Sequence, residues 1–322
     1  MDILRKLKAT LRPLKVRVKD ITAHVFYTII FAFSHKRNKR ETKYYCSICA
    51  IFKNEGPYLR EWIEYHLMIG FDHIFLYNNF STDNYVDIVQ PYVNKGLVTL
   101  TDWPVKYGQI SAYEDCARKY RNDTKWMLFI DLDEFVCPCK VVDIKLWLKR
   151  FEKYPAVKMY WLIFGTNGII ESSPDKLVIE QYTCSWSNLR NVGKVAWNTD
   201  YEPCEIYNEH FFCKYKFMGK TFRLPMINES HHFIAYSTAE KLPKRNTLQI
   251  NHYWSKSIRE YICKTNRGDA FSETYDERRL DLDFFYWHEH QNVREEKTIF
   301  RFLAQLKVRL GYINMVFDRR KE

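Results

Sequence analysis

Two phosphate-binding signatures are missing from this sequence of 322 residues. No Gly-x-Gly-x-x-Gly motif follows the first strand-like segment, and no Gly-x-x-x-x-Gly-Lys-Ser motif occurs anywhere. The glycines of these motifs let backbone amides approach a phosphate closely. A dinucleotide site of the Rossmann type and a P-loop are therefore both unsupported.

A long apolar run is missing as well. Segment 21–33 has 13 mostly apolar residues, whereas a transmembrane helix needs about 20. The segment lacks a small-residue cleavage site, which does not fit a secretory signal. Because basic clusters flank it, we expect a helix lying on an anionic membrane surface. A helix packed on the folded domain and a short type II membrane anchor are the alternatives.

The folded part of the chain also lacks a strong charge of either sign. Of the net charge of +11, residues 1–43 carry +9, from 12 Lys/Arg and 3 Asp/Glu. The rest of the chain therefore carries only +2. A nucleic-acid enzyme is expected to spread basic charge along its groove. This distribution argues against nucleic acid as a partner.

The nine cysteines form no regular framework. An odd number in a chain of this length indicates reduced thiols and a cytoplasmic protein. Cys46/Cys49 and Cys137/Cys139 could be halves of a zinc site. However, the first pair lies in an apolar strand-like run, and no matching Cys or His pair follows, so structural zinc is not favoured.

The sequence has enough apolar residues to form a sizeable core, since 46% of the residues are hydrophobic and 17% are aromatic. From Tyr44 onward, strand-like apolar runs alternate with helical periodicity. Leu59, Trp62, Ile63 and His66 form one such helical stripe, so His66 is expected to be a core histidine. The order predicts an α/β fold with a mostly parallel central sheet flanked by helices on both faces. The predicted strands are 45–52, 73–77 and 98–100, and further predicted helices are 85–92 and 110–120.

The chain is organised around an apolar run that ends at Asp131-Leu132-Asp133-Glu134. The run reads as a buried strand, and ligands of open α/β sheets bind beyond the carboxyl ends of the strands. Strand alternation puts Asp131 and Asp133 on the same side. Two carboxylates there make a hard oxygen site suited to Mn²⁺ or Mg²⁺. A solvated acidic turn is the alternative.

The pattern changes after Pro155. Strands are predicted at 157–164 and 250–254, followed by a helix that holds Lys264 and Arg267. The last thirty residues are predicted to form a basic amphipathic helix. The chain thus divides into a basic N-terminal segment 1–43, a folded domain 44–290 and a C-terminal helix 291–322. The apolar stripe of that helix comprises Phe300, Leu303, Leu306, Leu310 and Ile313.

Seven short motifs resemble those of glycosyltransferase family 92 and related transferases of the family-2-like superfamily. They occur in family order over about 70% of the chain. The resemblance implies an A-type glycosyltransferase fold with a DxD motif, with a nucleotide-sugar half at 44–136 and an acceptor half at 137–290. The motifs are residues 49–55 (CAIFKNE), 61–66 (EWIEYH), 77–83 (YNNFSTD), 102–104 (DWP), 130–135 (IDLDEF), 164–168 (FGTNG) and 251–257 (NHYWSKS).

The resemblance implies roles for individual residues. Asp133, with Asp131 and His252, would hold Mn²⁺ or Mg²⁺, and Asp131 could contact the ribose instead or as well. Lys256 and Arg267 would place positive charge near the departing diphosphate. Further donor-binding candidates are Lys53, Asn54, Glu55, Asn78, Asn79, Asp83, Gln109, Tyr113 and Asp115. For the last three, ordinary helix packing is the alternative.

Family 92 enzymes invert the anomeric centre, which requires a carboxylate or histidine to accept the proton of the acceptor hydroxyl. The candidates lie in the region 184–244, which matches the family poorly. The sequence does not choose among them. They are Asp200, Glu202, Glu205, Glu209 and His210.

The expected function is a metal-dependent transfer of a sugar from a nucleotide-diphosphate donor, UDP-hexose first, to a cell-surface glycan such as lipopolysaccharide or capsule. The basic N-terminal segment would hold the enzyme at the cytoplasmic face of the membrane. One alternative is a metal-dependent phosphodiesterase, which would need a basic groove. The other is a non-catalytic, membrane-associated scaffold with the same fold.

Overall fold

The structure, a computed structural model, describes residues 2–32, 40–206, 212–217, 220–234, 242, 246–267 and 282–312. Among these residues, no helix is both long and apolar enough to cross a membrane. The helices are α1 (Asp2–Ala32), α2 (Gly56–Met68), α3 (Tyr85–Asn94), α4 (Gln109–Tyr120), α5 (Ile144–Leu148), α6 (Val178–Gln181), α7 (Ile258–Arg267), α8 (Leu282–His290) and α9 (Leu303–Arg309). The strands are β1 (Tyr44–Phe52), β2 (His73–Asn78), β3 (Val98–Asp102), β4 (Thr124–Phe129), β5 (Glu134–Pro138), β6 (Ala156–Phe164), β7 (Cys184–Trp186), β8 (Gly193–Asn198), β9 (Glu202–Glu205), β10 (Phe212–Phe217), β11 (Lys220–Pro225), β12 (Leu248–Tyr253) and β13 (Asn292–Glu295).

Four parallel strands, in the order β3-β2-β1-β4, form the first half of a ten-stranded sheet. Their carboxyl ends share one edge, because parallel strands point the same way. Strand β1 lies between β2 and β4, and its last seven residues are all buried. This half of the sheet, with its crossover helices, confirms the predicted α/β fold.

The two faces of strand β1 contribute to different cores, as the alternation of side chains requires. Ile48 and Ala50 belong to the core that contains Trp62 of α2, and Cys49 and Ile51 belong to the core that contains α4. Helices therefore cover both faces of the sheet, as predicted.

The second half of the sheet is mixed. Strand β8 runs antiparallel to both β4 and β6, while β12 pairs in parallel with β6 and antiparallel with β5. The pairing of β5 with β12 brings residues 134–138 against residues 248–252. Strands β9, β10 and β11 form a separate three-stranded sheet.

His66 is a core histidine, as its position on the apolar stripe of α2 predicts. Its ring is fully buried, its Nδ1–H donates to the carbonyl oxygen of Trp62 (2.8 Å), and its Nε2 accepts from the Val136 amide (3.3 Å). Burial lowers the pKa of His66 to about 3. The imidazole is therefore neutral and structural.

Glu61, on the same helix, joins α2 to α6. Its buried carboxylate accepts hydrogen bonds from the amides of Val178 (2.8 Å) and Ile179 (3.2 Å). Burial raises the pKa of Glu61 from 4.5 to about 7, although both amide donors act in the opposite direction. The folded protein therefore binds a proton here that the unfolded chain has already released at pH above 4.5.

Because of this proton, we expect Glu61 to stabilise the folded protein less as the pH rises from 4.5 to 7. Between those limits, the free energy of unfolding of the wild type should fall by about 3 kcal/mol relative to Glu61→Gln. Glutamine keeps the size of the side chain but has one oxygen in place of two, so it loses one of the two amide hydrogen bonds, and that loss does not vary with pH. Urea titrations of the two proteins across this pH range measure the difference, and Glu64→Gln on the same helix is the control. Parallel pH dependence of the wild type and Glu61→Gln would contradict the assignment.

Helix α1 packs against the folded domain along one side. His24 stacks on His232, with ring centroids 4.1 Å apart, and Phe31 stacks on Tyr154 (5.1 Å). Asp20 is buried beside His232, at 3.0 Å. The alternative of a packed helix is therefore correct for this side of α1.

The predicted C-terminal helix differs from the structure. Residues 292–295 form strand β13, which pairs antiparallel with β7, and a 3-10 turn (Thr298–Phe302) precedes the short helix α9. Pairing with a distant strand overrides the helical pattern here. Leu306 and Leu310 of the predicted stripe are buried, while Ile313 lies outside the described residues.

Candidate functional site

The acidic stretch forms a turn between strands β4 and β5. Strand β4 ends at Phe129, the amide of Glu134 donates to the Asp131 carbonyl oxygen (3.1 Å), and Glu134 begins β5. The amide of Asp131 in turn donates to the Glu134 carboxylate (3.1 Å). The turn therefore lies at the carboxyl edge of the parallel strands, where the sequence predicts it.

Asp131 is held by three side chains. Its Oδ1 accepts hydrogen bonds from Gln109 Nε2 (2.8 Å) and Tyr113 Oη (3.0 Å), both on α4, and its Oδ2 accepts one from Lys194 Nζ (2.8 Å). About a third of the Asp131 side chain remains exposed. Gln109 and Tyr113 thus reach the predicted site, where they orient this carboxylate.

Lys194 supplies a buried positive charge between two carboxylates. The residue lies on β8 and is 1% exposed, and its ammonium is 2.8 Å from Asp131 and 3.5 Å from the fully buried Glu134. Burial alone would lower the pKa of Lys194, but the two carboxylates raise it above its ordinary value. Burial raises the pKa of Glu134 well above its usual range, despite the opposing effect of Lys194.

Asp133 faces a different set of partners. His252 Nε2 lies 3.6 Å from Asp133 Oδ2, and Lys264 forms an ion pair with the same oxygen. Burial opposes ionisation of Asp133, but Lys264 and His252 hold its pKa well below the usual range. Burial lowers the pKa of His252, which keeps its imidazole available as a neutral ligand.

Asp133, Glu134 and His252 are suited to bind a divalent cation. The ligand atoms offered by Asp133, Glu134 and His252 all lie within 4.8 Å of one another. Among the described residues, Glu134 Oε1 and His252 Nδ1 are buried without a hydrogen-bond partner. Carboxylates with a neutral imidazole suit Mn²⁺ better than a soft metal. Asp131, predicted as a metal ligand, is not part of this group, and Glu134 takes its place.

Helix α7 positions Lys264 through a capping box. Ser257 Oγ accepts from the Glu260 amide and the Glu260 carboxylate accepts from the Ser257 amide, both at 3.2 Å. Lys264 follows Glu260 by one turn and therefore lies on the same side of the helix. Arg267 ends α7, and its side chain lies outside what the structure describes.

Lys256 reaches the site from the loop between β12 and α7. Its ammonium lies 3.3 Å from Glu55 Oε2 and 3.3 Å from the centre of the Tyr58 ring. The Lys256 backbone has a φ of 52°, a left-handed conformation that costs about 1 kcal/mol or more in a non-glycine residue. The fold thus maintains an unfavourable backbone conformation where this predicted site residue lies.

Two of the predicted donor-binding loops are tied to each other. Asn54 Oδ1 accepts from the Thr82 amide (2.7 Å), and Asp83 Oδ2 accepts from the Gly56 amide (2.7 Å). Half-buried Lys53 precedes Asn54 at the end of β1. These contacts fix the loops at the carboxyl edge of the sheet.

Asn78 and Asn79 also act as loop supports. Asn78 Nδ2 donates to Asp102 Oδ1 (3.0 Å), and Asn79 Nδ2 donates to the carbonyl oxygens of Trp103 (2.8 Å) and Val105 (2.9 Å). Both asparagines are buried. They shape the edge beside the site.

Asp115 is not brought to the acidic turn. It accepts a hydrogen bond from Tyr77 Oη (3.0 Å) and pairs with Lys119 (2.8 Å) and Arg118. These contacts join α4 to β2, so the helix-packing alternative describes this residue.

The candidate bases are not gathered at the turn either. Because β8 runs antiparallel to β4, Asp200 lies near the start of β4, where it pairs with Lys125. The sheet edge that holds Asp131 is the opposite one. Exposed Glu202 pairs with Lys214 (2.8 Å). The side chain of Glu205, and all of Glu209 and His210, lie outside the described residues.

Three site residues were not assigned from the sequence. Glu134 belongs to the acidic motif, and Lys264 was placed only on its helix. Lys194 had one usable signal: it is the only charged residue in β8, whose six residues are all buried. A buried lysine needs a charged or hydrogen-bonding partner, and the acidic turn is one source of such a partner.

Comparisons with known proteins agree with the motifs. The family model Glycosyltransferase family 92 matches residues 42–295. A glycosyltransferase family 92 protein of Oryza sativa subsp. japonica is 33% identical over 154 residues, which are 47% of this chain and 26% of the relative. A galactan beta-1,4-galactosyltransferase of Arabidopsis thaliana is 28% identical over 149 residues, 41% of this chain and 28% of the relative.

A solved structure, S. aureus TarS 1–349, is 17% identical, with a TM-score of 0.33 over 48% of this chain and 47% of that one. The matched segments of the plant relatives span less than a third of those proteins. The match of the family model confirms the resemblance and the expected class of protein, a glycosyltransferase. The chain belongs to glycosyltransferase family 92.

Proposed function

We propose that this protein transfers a hexose from a nucleotide-diphosphate donor, UDP-hexose first, to a cell-surface glycan, in a metal-dependent reaction that inverts the anomeric centre. The observation that supports this most is the gathering of Asp131, Asp133, Glu134, His252 and Lys264 at one edge of the sheet in a family 92 chain. The name of the galactosyltransferase relative supports a hexose donor.

Asp133, Glu134 and His252 would hold the cation. When bound, a divalent cation neutralises charge on the departing diphosphate. Lys264 and Lys256 supply fixed positive charge at the same edge; Lys264 lies on α7, and Lys256 lies two residues before that helix begins. Such preorganised charge stabilises the leaving group without reorganisation during the reaction.

Asp131 has a different role in this proposal. Gln109, Tyr113 and Lys194 fix its carboxylate, and a third of the side chain is exposed to a ligand. A fixed, partly exposed carboxylate is suited to accept hydrogen bonds from the hydroxyls of a donor ribose. Asp131 would therefore orient the nucleotide rather than bind the cation.

The base that accepts the acceptor proton is proposed among Glu205, Glu209 and His210, because Asp200 and Glu202 are paired elsewhere. We also propose that the enzyme works at the cytoplasmic face of the membrane, where the basic segment 1–43 would meet anionic lipid.

The test is release of nucleotide from a panel of UDP-, GDP-, CMP- and dTDP-sugars with Mn²⁺. We expect slow hydrolysis of one donor, and its loss in excess EDTA, since water can replace the acceptor. A scaffold without activity would release no nucleotide and show no metal-dependent binding of UDP or GDP by calorimetry. Metal-dependent cleavage of phosphodiesters without donor hydrolysis would instead favour a phosphodiesterase.

A further inference from the structure

Between residues 16 and 32, where its side chains are described, helix α1 packs one side on the domain and leaves an apolar side exposed. Asp20, His24, Tyr27 and Phe31 contact the domain, and their spacing of four, three and four residues keeps them on one side of the helix. Ile30 beside them is buried. This side fixes the helix against Tyr154 and residues 232–233.

The opposite side of α1 is exposed and apolar. At 100° per residue it lies about 180° from the packed side. Its large apolar side chains are each about half exposed, between 49% and 53%. They are Val18, Ile21, Val25, Phe26 and Ile29. We call this set the outer face of α1.

Four members of the outer face follow a single stripe along the helix. Val18, Ile21, Val25 and Ile29 are spaced by three or four residues, the spacing of neighbours on one side of a helix. All of these positions lie within the single helix α1. A contiguous exposed apolar stripe of this kind marks a surface that contacts lipid or another protein.

Charge decides between these two kinds of occupant. Arg17 and Lys19, both exposed, lie on either side of the outer face, and segment 1–43 carries a net charge of +9. A second copy of α1 would bring the same positive charge against these flanks, without the complementary pairs that a coiled coil uses. An anionic bilayer offers the opposite charge beside an apolar interior.

We propose that the outer face of α1 docks into the interface of an anionic membrane, with the helix in the plane of the bilayer and its other side holding the catalytic domain. The inference rests on the membrane location proposed above and not on the chemistry of the site. The docking surface and the site are separate: α1 packs near the start of β6, whereas His252 lies beside Ile163 near its end. Seven or eight strand residues span about 25 Å.

The test is co-sedimentation of the full chain with vesicles of phosphatidylcholine alone, or of phosphatidylcholine with about 30% phosphatidylglycerol. We expect binding only to the anionic vesicles, and weaker binding at high salt. Ile21→Glu/Val25→Glu should reduce the partition coefficient at least about tenfold, because two buried apolar contacts are replaced by charges of the same sign as the lipid. Val142→Glu/Leu146→Glu, an equally exposed apolar pair on another surface, should change binding less than about twofold.

Two outcomes would overturn the proposal. One is equal binding of the two double variants to anionic vesicles. The other is a wild-type dimer in sedimentation velocity that Ile21→Glu/Val25→Glu converts to a monomer, which would assign the outer face to a second copy. Donor hydrolysis and circular dichroism on the same samples show whether each variant is folded. A chain that docks but releases no nucleotide would contradict the proposed function and leave this inference standing.

Discussion

Asp133→Asn is expected to lower the rate of nucleotide release by about a thousandfold. The substitution keeps the size of the side chain and removes the one charge that both Lys264 and His252 face. It would also remove an anionic ligand from the group of Asp133, Glu134 and His252. A thousandfold loss corresponds to about 4 kcal/mol of lost transition-state stabilisation, the amount attributed to one well-placed electrostatic group.

Nucleotide release and Mn²⁺ binding measured on the same preparation separate this role from a structural one. The variant should stay folded, because Lys264 is partly exposed and can be solvated when its partner is neutral. Mn²⁺ affinity should fall together with the rate. The exposed Asp87→Asn variant on α3 controls for the loss of one carboxylate. A rate within about threefold of the wild type would mean that Asp133 is outside the catalytic site.

The nucleotide-sugar half of the fold, residues 44–136, was predictable because the patterns that indicate its helices and strands are local in the sequence. The apolar run before Asp131 and the stripe of Leu59, Trp62 and Ile63 each report burial of a single element. The alternation of strands and helices then leaves few topologies, because crossovers between parallel strands are right-handed. Strands β1, β2 and β3 were therefore placed to within a few residues.

The mixed half was less predictable because its pairings are distant in sequence. Strand β13 looks like helix until it pairs with β7, more than a hundred residues away. Likewise, β5 is a strand because it pairs with β12. The conformation of such short elements depends on tertiary contacts, which the local sequence pattern does not indicate.

The site was predictable to the extent that its residues lie in motifs. Asp133 and His252 were assigned from their motifs and lie 3.6 Å apart, and Lys256, also assigned from its motif, pairs with Glu55 of the first donor loop. The donor-loop residues Asn78 and Asn79 have the predicted location, but their side chains support the loops. Whether a polar side chain contacts a ligand or a loop depends on its rotamer and partners, which spacing does not reveal.

Lys194 is the clearest case of a residue that only the structure identifies. It lies 63 residues from Asp131 in the sequence, in a strand that is otherwise apolar or amide-bearing. Its ammonium pairs with the Asp131 carboxylate and opposes the effect of burial on the pKa of Glu134. The acidic motif is therefore incomplete without a counter-charge from the second half of the sheet.

Lys194→Met should lower the free energy of unfolding by about 2–4 kcal/mol, because it leaves the partly buried Asp131 carboxylate without its counter-charge. Methionine fills a similar volume and removes only the ammonium, so the loss is not a cavity effect. Urea denaturation at neutral pH measures the change. Lys158→Met is the matched control, because Lys158 is equally buried on the neighbouring strand β6 and its ammonium donates to the carbonyl oxygen of Asn191. Loss of a contact to a neutral acceptor should cost less, about 1–2 kcal/mol.

A double variant then tests whether the cost comes from this carboxylate. Adding Asp131→Asn to Lys194→Met removes the stranded charge, so it should restore at least about 1 kcal/mol, a coupling expected only of residues in contact. The KM for the donor should rise in Lys194→Met, because Asp131 Oδ2 loses the ammonium that orients it. If Lys194→Met costs no more than Lys158→Met and Asp131→Asn restores nothing, Lys194 is an ordinary buried lysine. The charge balance of the acidic turn would then have to come from Lys264 and the cation alone.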